Sequence, residues 1–501
     1  MNREDKKTRL SASVVLYREN PELEIFMVLR SRTLGFFGGY HAFPGGAHED
    51  GDAREGASEL STLAHTAARE LLEETGILRV EKGSQTIDLD AIDEFRHRLI
   101  GLDSKVRFQD ELDEMGLAIA EQCFRPICRM TTPAFSKVRF DTQFFLVASE
   151  PDDPDASVMP GELDSGRWWK PEEVLTAWRN GDLYVAPPVL GLLHALATEP
   201  LGNALETIAE IPRHYEGSGR AIPWTPGLEM LPLTSAPLPP SVPTNVFLVG
   251  EEKFLIFDPA PSGSAEQAHL FAAIDRRVRL GHRPEAIVLT HHHRDHIGAL
   301  EATLQRYDLP VWSHPLTARD YQLPLDRTLA DGDWVDLGTA PDGHSPWGLR
   351  ALFTPGHAIG HLVFEDPHYG VLIAGDLVST IMSIFVGTPG GGHLRTYIDS
   401  VRKMLNVSAK ILFPSHGPPT FDVHNLFEHT LEHRDWRIEK VRGALDDTFE
   451  SLEKITDLVY RDVVDPRLRD LCLRTTRAAL EYLEEDRVVE SSREDRYRLR
   501  R

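Results

Sequence analysis

Thr290-His291-His292-His293-Arg294-Asp295-His296 follows directly on the apolar run Ala286-Ile287-Val288-Leu289. The run reads as a buried strand that Thr290 ends. Behind it, imidazoles at 291, 293 and 296 and a carboxylate at 295 place four potential metal ligands on one loop. A single histidine is more often a core or surface residue than a ligand. Four such groups within six positions are hard to explain structurally, because burying them without a metal costs their hydration. The surrounding chain fits this reading. From Asn245 to about 420, short apolar strands (NVFLVG, FLIFD, AIVLT, VLIAGD, ILFPSH) alternate with polar or helical stretches, the pattern of layered α/β packing. Three more of these runs end in Asp258, Asp376 and His416, and His357 lies in TPGHAIGH.

The order HxHxDH resembles the signature of the metallo-β-lactamase fold, and the remaining family positions follow in sequence order. The resemblance implies a central αββα sandwich holding two metal ions. It gives His291, His293 and His357 to one ion and Asp295, His296 and His416 to the other. Asp376 bridges them, and Asp258 supports the metal loop without binding metal. Nitrogen and carboxylate ligands suit two Zn²⁺, with Mn²⁺ or Fe as substitutes. Such a pair activates water and polarises the attacked carbonyl or phosphoryl, and Asp295 is counted among its catalytic residues. His292 is expected to be an ordinary loop residue; His361 has no assigned role.

A second constellation lies at Arg69-Glu70-Leu71-Leu72-Glu73-Glu74-Thr75-Gly76-Ile77. On a helix Glu70, Glu73 and Glu74 share one face, while Leu63, Ala67, Ala68, Leu71 and Leu72 form the face to be buried. Clustered carboxylates repel unless a cation sits among them, and oxygen ligands suit Mg²⁺ or Mn²⁺. A solvated acidic helix face would show the same residues. Arg69, one turn before Glu73, is placed to neutralise or orient it, and Gly76 to end the helix. With Phe43-Pro44-Gly45-Gly46 upstream, the whole resembles the Nudix box, which implies an N-terminal α/β/α sandwich. It also implies catalysis by Arg69, Glu70, Glu73 and Glu74 on nucleoside diphosphates linked to another moiety, with Gly46 and Gly76 in support. In two respects the chain departs from that pattern. The interval from Gly46 to Arg69 is longer than usual, which reads as an inserted loop, and Asp52 stands where the first glutamate falls. Arg30, Ser31, Leu34 and Gly39 fall in the register of the coenzyme A diphosphatase motif, with Gly35 replacing the family's arginine, and the resemblance makes Arg30, Ser31 and Gly39 substrate-binding candidates. The segments 132–145 and 161–175 are similar to the same branch. CoA, ADP-ribose, dinucleotide polyphosphates and nucleotide sugars are all open as substrates.

The chain of 501 residues is 41% hydrophobic and 26% charged, which excludes disorder as its main character and predicts roughly three domains. The expected division is a Nudix domain over 1–200 and a proline-rich linker with a lead-in segment over 201–243. A metallo-β-lactamase domain over 244–420 and a C-terminal domain over 421–501 follow. The last part is helical, with Leu471, Thr475, Ala478 and Tyr482 at helical spacing, and ends in a hairpin around SSRED. It is similar to the winged-helix-like end of the branch that includes a mitochondrial single-strand endoribonuclease and thioesterase-like enzymes; that likeness also suggests a homodimer. From Arg487 onward six arginines face three carboxylates, which suits a nucleic-acid backbone, a cover for the cleft, or a dimer contact. The net charge of −24 argues against general attraction to nucleic acid or anionic lipid.

No apolar run approaches a membrane span, and the start MNREDKKTRL lacks the apolar stretch of a secretion signal. The three cysteines (Cys123, Cys128, Cys472) make no disulfide framework, and Cys123 and Cys128 read as core thiols. Cytoplasm is the expected compartment. Three functions are therefore in contention. In the first, a bifunctional hydrolase acts on a nucleotide or CoA-type small molecule. In the second, which stands behind it, RNA is the substrate of the C-terminal half. In the third, the Nudix half is a nucleotide sensor.

Overall fold

Alternation in the strand Arg9–Glu19 sends Ala12, Val14 and Leu16 to one face, where they meet Leu63, Ala67 and Leu71 from the helix Glu59–Thr75. In the computed structural model residues 8–500 are described, apart from 20, 35–36, 54–55, 82–88, 102–105, 133–137, 218–220, 240, 320–322, 324, 388–390, 464, 466–467 and 493. Gly35, most of the 132–137 stretch, Arg493 and Arg501 thus lie outside the described residues. The chain forms two units, 1–218 with 222–226, and 219–221 with 227–501.

In the first unit, Arg9–Glu19 runs parallel to Phe140–Ala148 and antiparallel to Leu23–Arg30 and Gly45–Ala47. Leu23–Arg30 also pairs with His41–Ala42 and Leu163–Trp169. The helix Glu59–Thr75 starts at Ser58, whose hydroxyl accepts the Ser61 N–H, and stops at Gly76 in the left-handed conformation, φ 80°. The sheet thus brings the Gly45-Gly46 strand against the acidic end of that helix.

The second unit is built on two sheets. One contains Leu228–Thr234, Pro243–Gly250, Lys253–Phe257, Arg283–Val288, Val311–Ser313 and Arg327–Thr328, in that order. The other runs through Trp334–Thr339, Pro346–Phe353, Leu362–Asp366, Val371–Gly375 and Ile411–Pro414. Their inner faces interlock through aromatic pairs, Phe257 with Phe364 at 5.0 Å and Phe247 with Phe413 at 6.1 Å between centroids. Leu270, Ala273 and Ile274 of the helix Ser264–Arg279 cover the first sheet, and Tyr397, Ile398 and Val401 of the helix Leu394–Met404 the second. Strand ends from the two sheets meet at one rim, where Asp258, the 290–296 loop, Asp376 and His416 are found. The two α/β domains expected from the sequence are both present.

Elsewhere the sequence reading needs correction. The stretch 201–243 is not a linker. Leu201–Gly217 is a helix that buries Ala204, Leu205, Ile208 and Ile211, and Leu228–Thr234 is a core strand despite Pro232. Apolar spacing outweighs the prolines here. Nor does 421–501 stand apart. Its helices Val423–Arg442, Leu452–Val459 and Arg469–Glu485 share one apolar cluster with the second sheet, in which Leu480, Ala479 and Val441 join Leu372 and Leu412. The last helix turns Cys472, Thr476, Ala479 and Leu483 fully inward beside Ala478, whereas Leu471, Thr475 and Tyr482 are only half-buried. Its buried stripe is offset by one position from the expected one. The terminal hairpin forms as expected, Val489–Ser491 against Arg496–Leu499.

Because this core is continuous, Leu480→Ala is expected to destabilise the second unit by about 2–5 kcal/mol. Hydrogen exchange should show the second sheet and the C-terminal helices losing protection together; independent opening of the helices would mean a separate domain.

Candidate metal centre and acidic site

Asp258 is the first residue after the strand Lys253–Phe257 and adopts φ 47° there, a left-handed conformation that aspartate tolerates better than most residues. Its carboxylate accepts the Thr290 N–H at 2.8 Å, the Thr290 hydroxyl at 2.6 Å and His296 Nδ1–H at 2.9 Å. The Thr290 hydroxyl in turn accepts His291 Nδ1–H at 3.0 Å. Each imidazole is thereby fixed with Nε2 turned to the centre, the usual way an outer partner prepares a ligand. His357 gives its Nδ1–H to the Phe385 carbonyl at 2.8 Å, and His416 to the Pro243 carbonyl at 3.2 Å.

The seven expected ligands converge. Ligand atoms of His291, His293, His357 and Asp376 lie within 4.8 Å of one another, as do those of Asp295, His296 and His416. Asp376 faces both sets: Oδ2 is 3.4 Å from His357 Nε2, while Oδ1 is 3.4 Å from His296 Nε2 and 3.3 Å from His416 Nε2. Asp258 also lies close to His291 and His296, but its oxygens are spent on Thr290 and on His296 Nδ1. Two buried atoms, His296 Nε2 and Asp376 Oδ1, make no hydrogen bond. Buried nitrogen and carboxylate donors left open toward a common point fit a metal pair.

Protonation follows the same geometry. Burial, with neighbouring imidazoles adding to it, holds His291 and His293 well below the usual histidine range. Burial also opposes charge on His416, but Asp376 and Asp295 override it and raise the group to about 10. His361, unassigned in the sequence, is a positioning residue. Its Nδ1 is bonded to the Thr354 hydroxyl at 2.8 Å, and its Nε2 accepts the Asp376 N–H at 3.0 Å. The TPGHAIGH motif contained this histidine, but only the fold shows what it touches. His292 is a loop residue, as expected, and is buried.

In the first unit Arg69 organises the acidic face. Its guanidinium binds Asp52 (2.5 Å), Glu70 (2.9 Å) and Glu73 (3.0 Å), and it donates to the Ala47 carbonyl at 2.7 Å. Asp52 therefore reaches Arg69 across the longer interval. Glu74 accepts the Gly45 N–H at 2.9 Å, and a Cβ on Gly46 would strike the Glu70 carboxylate. Glu70 and Glu74 are buried, which a solvated face would not be. Among the described residues no three potential ligand atoms of this unit come within 4.8 Å of one another. A cation here fits as Mg²⁺ does, through a few carboxylate oxygens and retained waters. Arg30 lies near enough to Glu74 to stabilise its charge. The Gly39 N–H donates to the Arg30 carbonyl at 2.8 Å, and Ser31 donates its N–H to the Glu162 carbonyl. Cys128 is buried, Cys123 half-buried, and both are free thiols.

Residues 240–416 match the family described as Metallo-beta-lactamase superfamily, and residues 7–187 the NUDIX domain. The chain is similar to the probable metallo-hydrolase YqgX of Bacillus subtilis, 29% identical over 37% of this chain and 89% of that protein. It is also similar to the atrochrysone carboxyl ACP thioesterase of Aspergillus fumigatus, 23% identical over 40% of this chain and 59% of that protein. Among solved structures, a NUDIX hydrolase from Alicyclobacillus acidocaldarius is 29% identical, covering 41% of this chain and 98% of its own, with a TM-score of 0.35. No helix among the described residues is long and apolar enough to cross a membrane.

Two outcomes are expected. Asp258→Asn removes a charged acceptor from His296 and Thr290, and should lower Zn²⁺ affinity about 10–100-fold in a competition titration. Unchanged affinity would remove Asp258 from a supporting role. In the acidic site, burial raises Glu73 to about 7 and Glu74 to about 8, from an ordinary 4.5, with Arg69 and the Gly45 N–H respectively opposing it. The folded protein then holds protons that the unfolded chain has released, so metal-free stability falls as pH rises from 4.5 through about 8. Mg²⁺ or Mn²⁺ should therefore raise the melting temperature more at pH values above about 8 than near 6; equal shifts would contradict the assignment.

Proposed function

We propose that this chain, which joins a NUDIX domain to a metallo-beta-lactamase superfamily domain, is a bifunctional hydrolase. Its first half splits the pyrophosphate of a nucleoside-diphosphate-linked substrate of the CoA or acyl-CoA type, and its second half cleaves a thioester or related ester. The observation that carries the reading is the convergence of six candidate ligands around Asp376, with His296 Nε2 and Asp376 Oδ1 buried and left without hydrogen bonds.

Bound there, two Zn²⁺ (or Mn²⁺ or Fe) supply Lewis acidity and acidify water. The chain's own part is to keep the imidazoles in one tautomer and to hold Asp376 by its backbone N–H. Asp295 has a side chain 16% exposed, against 0–9% for His291, His296, His357, Asp376 and His416. It is thus the carboxylate best placed to take a proton from the attacking water. In the NUDIX half Glu70, Glu73 and Glu74 would hold Mg²⁺ or Mn²⁺, which would supply charge neutralisation at the pyrophosphate, and Arg69 fixes the place of Glu70 and Glu73. Arg30 and Ser31, one strand away, offer a guanidinium and a hydroxyl to a phosphate, and Gly39 holds the Arg30 carbonyl through its N–H.

The thioester assignment is supported by the name of the Aspergillus relative, and the CoA assignment by Arg30–Gly46. Together they give the fusion a logic, one substrate cut at two bonds. Three free cysteines suit a cytoplasmic setting.

The full chain should be assayed with Mg²⁺ or Mn²⁺ against CoA, acyl-CoA, ADP-ribose and a single-stranded RNA, beside Glu74→Gln and His293→Ala. Glu74→Gln is expected to reduce pyrophosphate cleavage at least about 100-fold and to leave ester cleavage intact; His293→Ala should do the reverse. RNA cleavage lost only in His293→Ala would replace this reading with nucleic-acid processing. Turnover of ADP-ribose with no action on CoA compounds would sink the substrate pairing.

A further inference from the structure

The C-terminal helix Val423–Arg442 carries an arginine that ordinary packing does not explain. Arg434 is 4% exposed, no carboxylate among the described residues forms an ion pair with it, and its Nε is buried without a hydrogen-bond partner. Burying a guanidinium without a counter-charge costs stability, so its contacts are the place to look for a reason. There are two. Its Nη2 donates to the Ile384 carbonyl, and its Cζ lies 4.8 Å from the centroid of the Tyr397 ring.

Both contacts lead to metal ligands. Ile384 precedes Phe385, whose carbonyl accepts the Nδ1–H of His357. Tyr397, fully buried, donates its hydroxyl to the Leu377 carbonyl at 2.7 Å, and Leu377 follows Asp376. The helix bearing Tyr397 begins at His393, whose N–H donates to the Gly356 carbonyl at 2.7 Å, directly before His357. Gly356 has φ 129°, and a Cβ there would collide with the Tyr397 backbone. Two ligands of the first set, His357 and Asp376, are thus tied to the same buried pair.

We propose that Arg434 is a positioning residue for the metal centre, acting with Tyr397 to hold the backbone segments that set His357 and Asp376. The cation–π contact and the charge-assisted hydrogen bond offset part of its burial. What the charge contributes is a fixed place for the Phe385 carbonyl, and hence for the His357 ring. The C-terminal helices are then part of the site's scaffold. The inference rests on the two-metal reading.

The test is titration of metal-free full-length protein with Co²⁺, followed by its d–d absorption, and with Zn²⁺ against a chelator. His416→Ala and His293→Ala proteins serve as references for the first and second ligand sets. Arg434→Met should weaken the first set about 10–100-fold and shift its Co²⁺ band, with a smaller loss at the second set, which shares Asp376 but not His357. Arg434→Lys should recover part of the loss. Tyr397→Phe, which removes only a hydroxyl, should weaken the first set in the same sense and carries the test if Arg434→Met does not fold. Unchanged affinity, or equal loss at both sets in step with a lower melting temperature, would overturn the proposal. Failure of the wild-type protein to bind Co²⁺ or Zn²⁺ would instead sink the two-metal reading itself.

Discussion

A metal-holding imidazole almost always has its second nitrogen engaged, and the second unit meets that requirement at His291, His296, His357 and His416. Asp258 meets it for His296 directly and for His291 through Thr290. It can do so because the strand Lys253–Phe257 lies beside Arg283–Val288 in the same sheet, which brings the two strand ends to one level. Sheet register sets the distance from carboxylate to threonine, and threonine sets the loop. The backbone carbonyls of Phe385 and Pro243 play the same part for His357 and His416. The fold therefore contributes its acceptors, as well as its ligands, from strand ends and the loops after them.

The candidate ligands were legible in the sequence because HxHxDH and the later positions match a known family pattern, each after an apolar strand, and strand ends at one rim meet. What orients them was not, since an acceptor such as the Phe385 carbonyl has no residue type of its own. His361 stood in a visible motif, yet its bond to the Asp376 N–H depends on a turn that spacing does not reveal. The same limit applies to 201–243, where the prolines suggest a linker while Ala204, Ile208, Leu231 and Leu233 are buried in a helix and a strand. The C-terminal part was seen correctly as helices and a hairpin. Its fusion with the second sheet's core escaped notice because helical periodicity tells which side is apolar but not what covers it.

The two sites treat carboxylates in opposite ways. Asp376 is held well below the usual range: burial raises it, but His416 and His296 on its flanks outweigh burial. Glu70 and Glu74 are pushed up by burial among like charges, with Arg69 opposing the shift at Glu70. One site offers charge balanced in advance by imidazoles, and the other stores repulsion that a divalent cation would relieve. That difference matches the ions each donor set suits, a borderline metal for nitrogen-rich ligands and a hard one for oxygen.

The ion pair between Asp52 and Arg69 closes a ring of chain whose ends are pinned by charge rather than by a fixed count of residues. Lengthening a closed loop costs little, about 0.6 kcal/mol for each doubling. The contour between the two residues is therefore free to change while the guanidinium still finds its carboxylate. A search pattern that prescribes the interval would pass over such a chain. One that asks for an acid able to reach the arginine would find it, and the shorter aspartate makes that contact here at 2.5 Å.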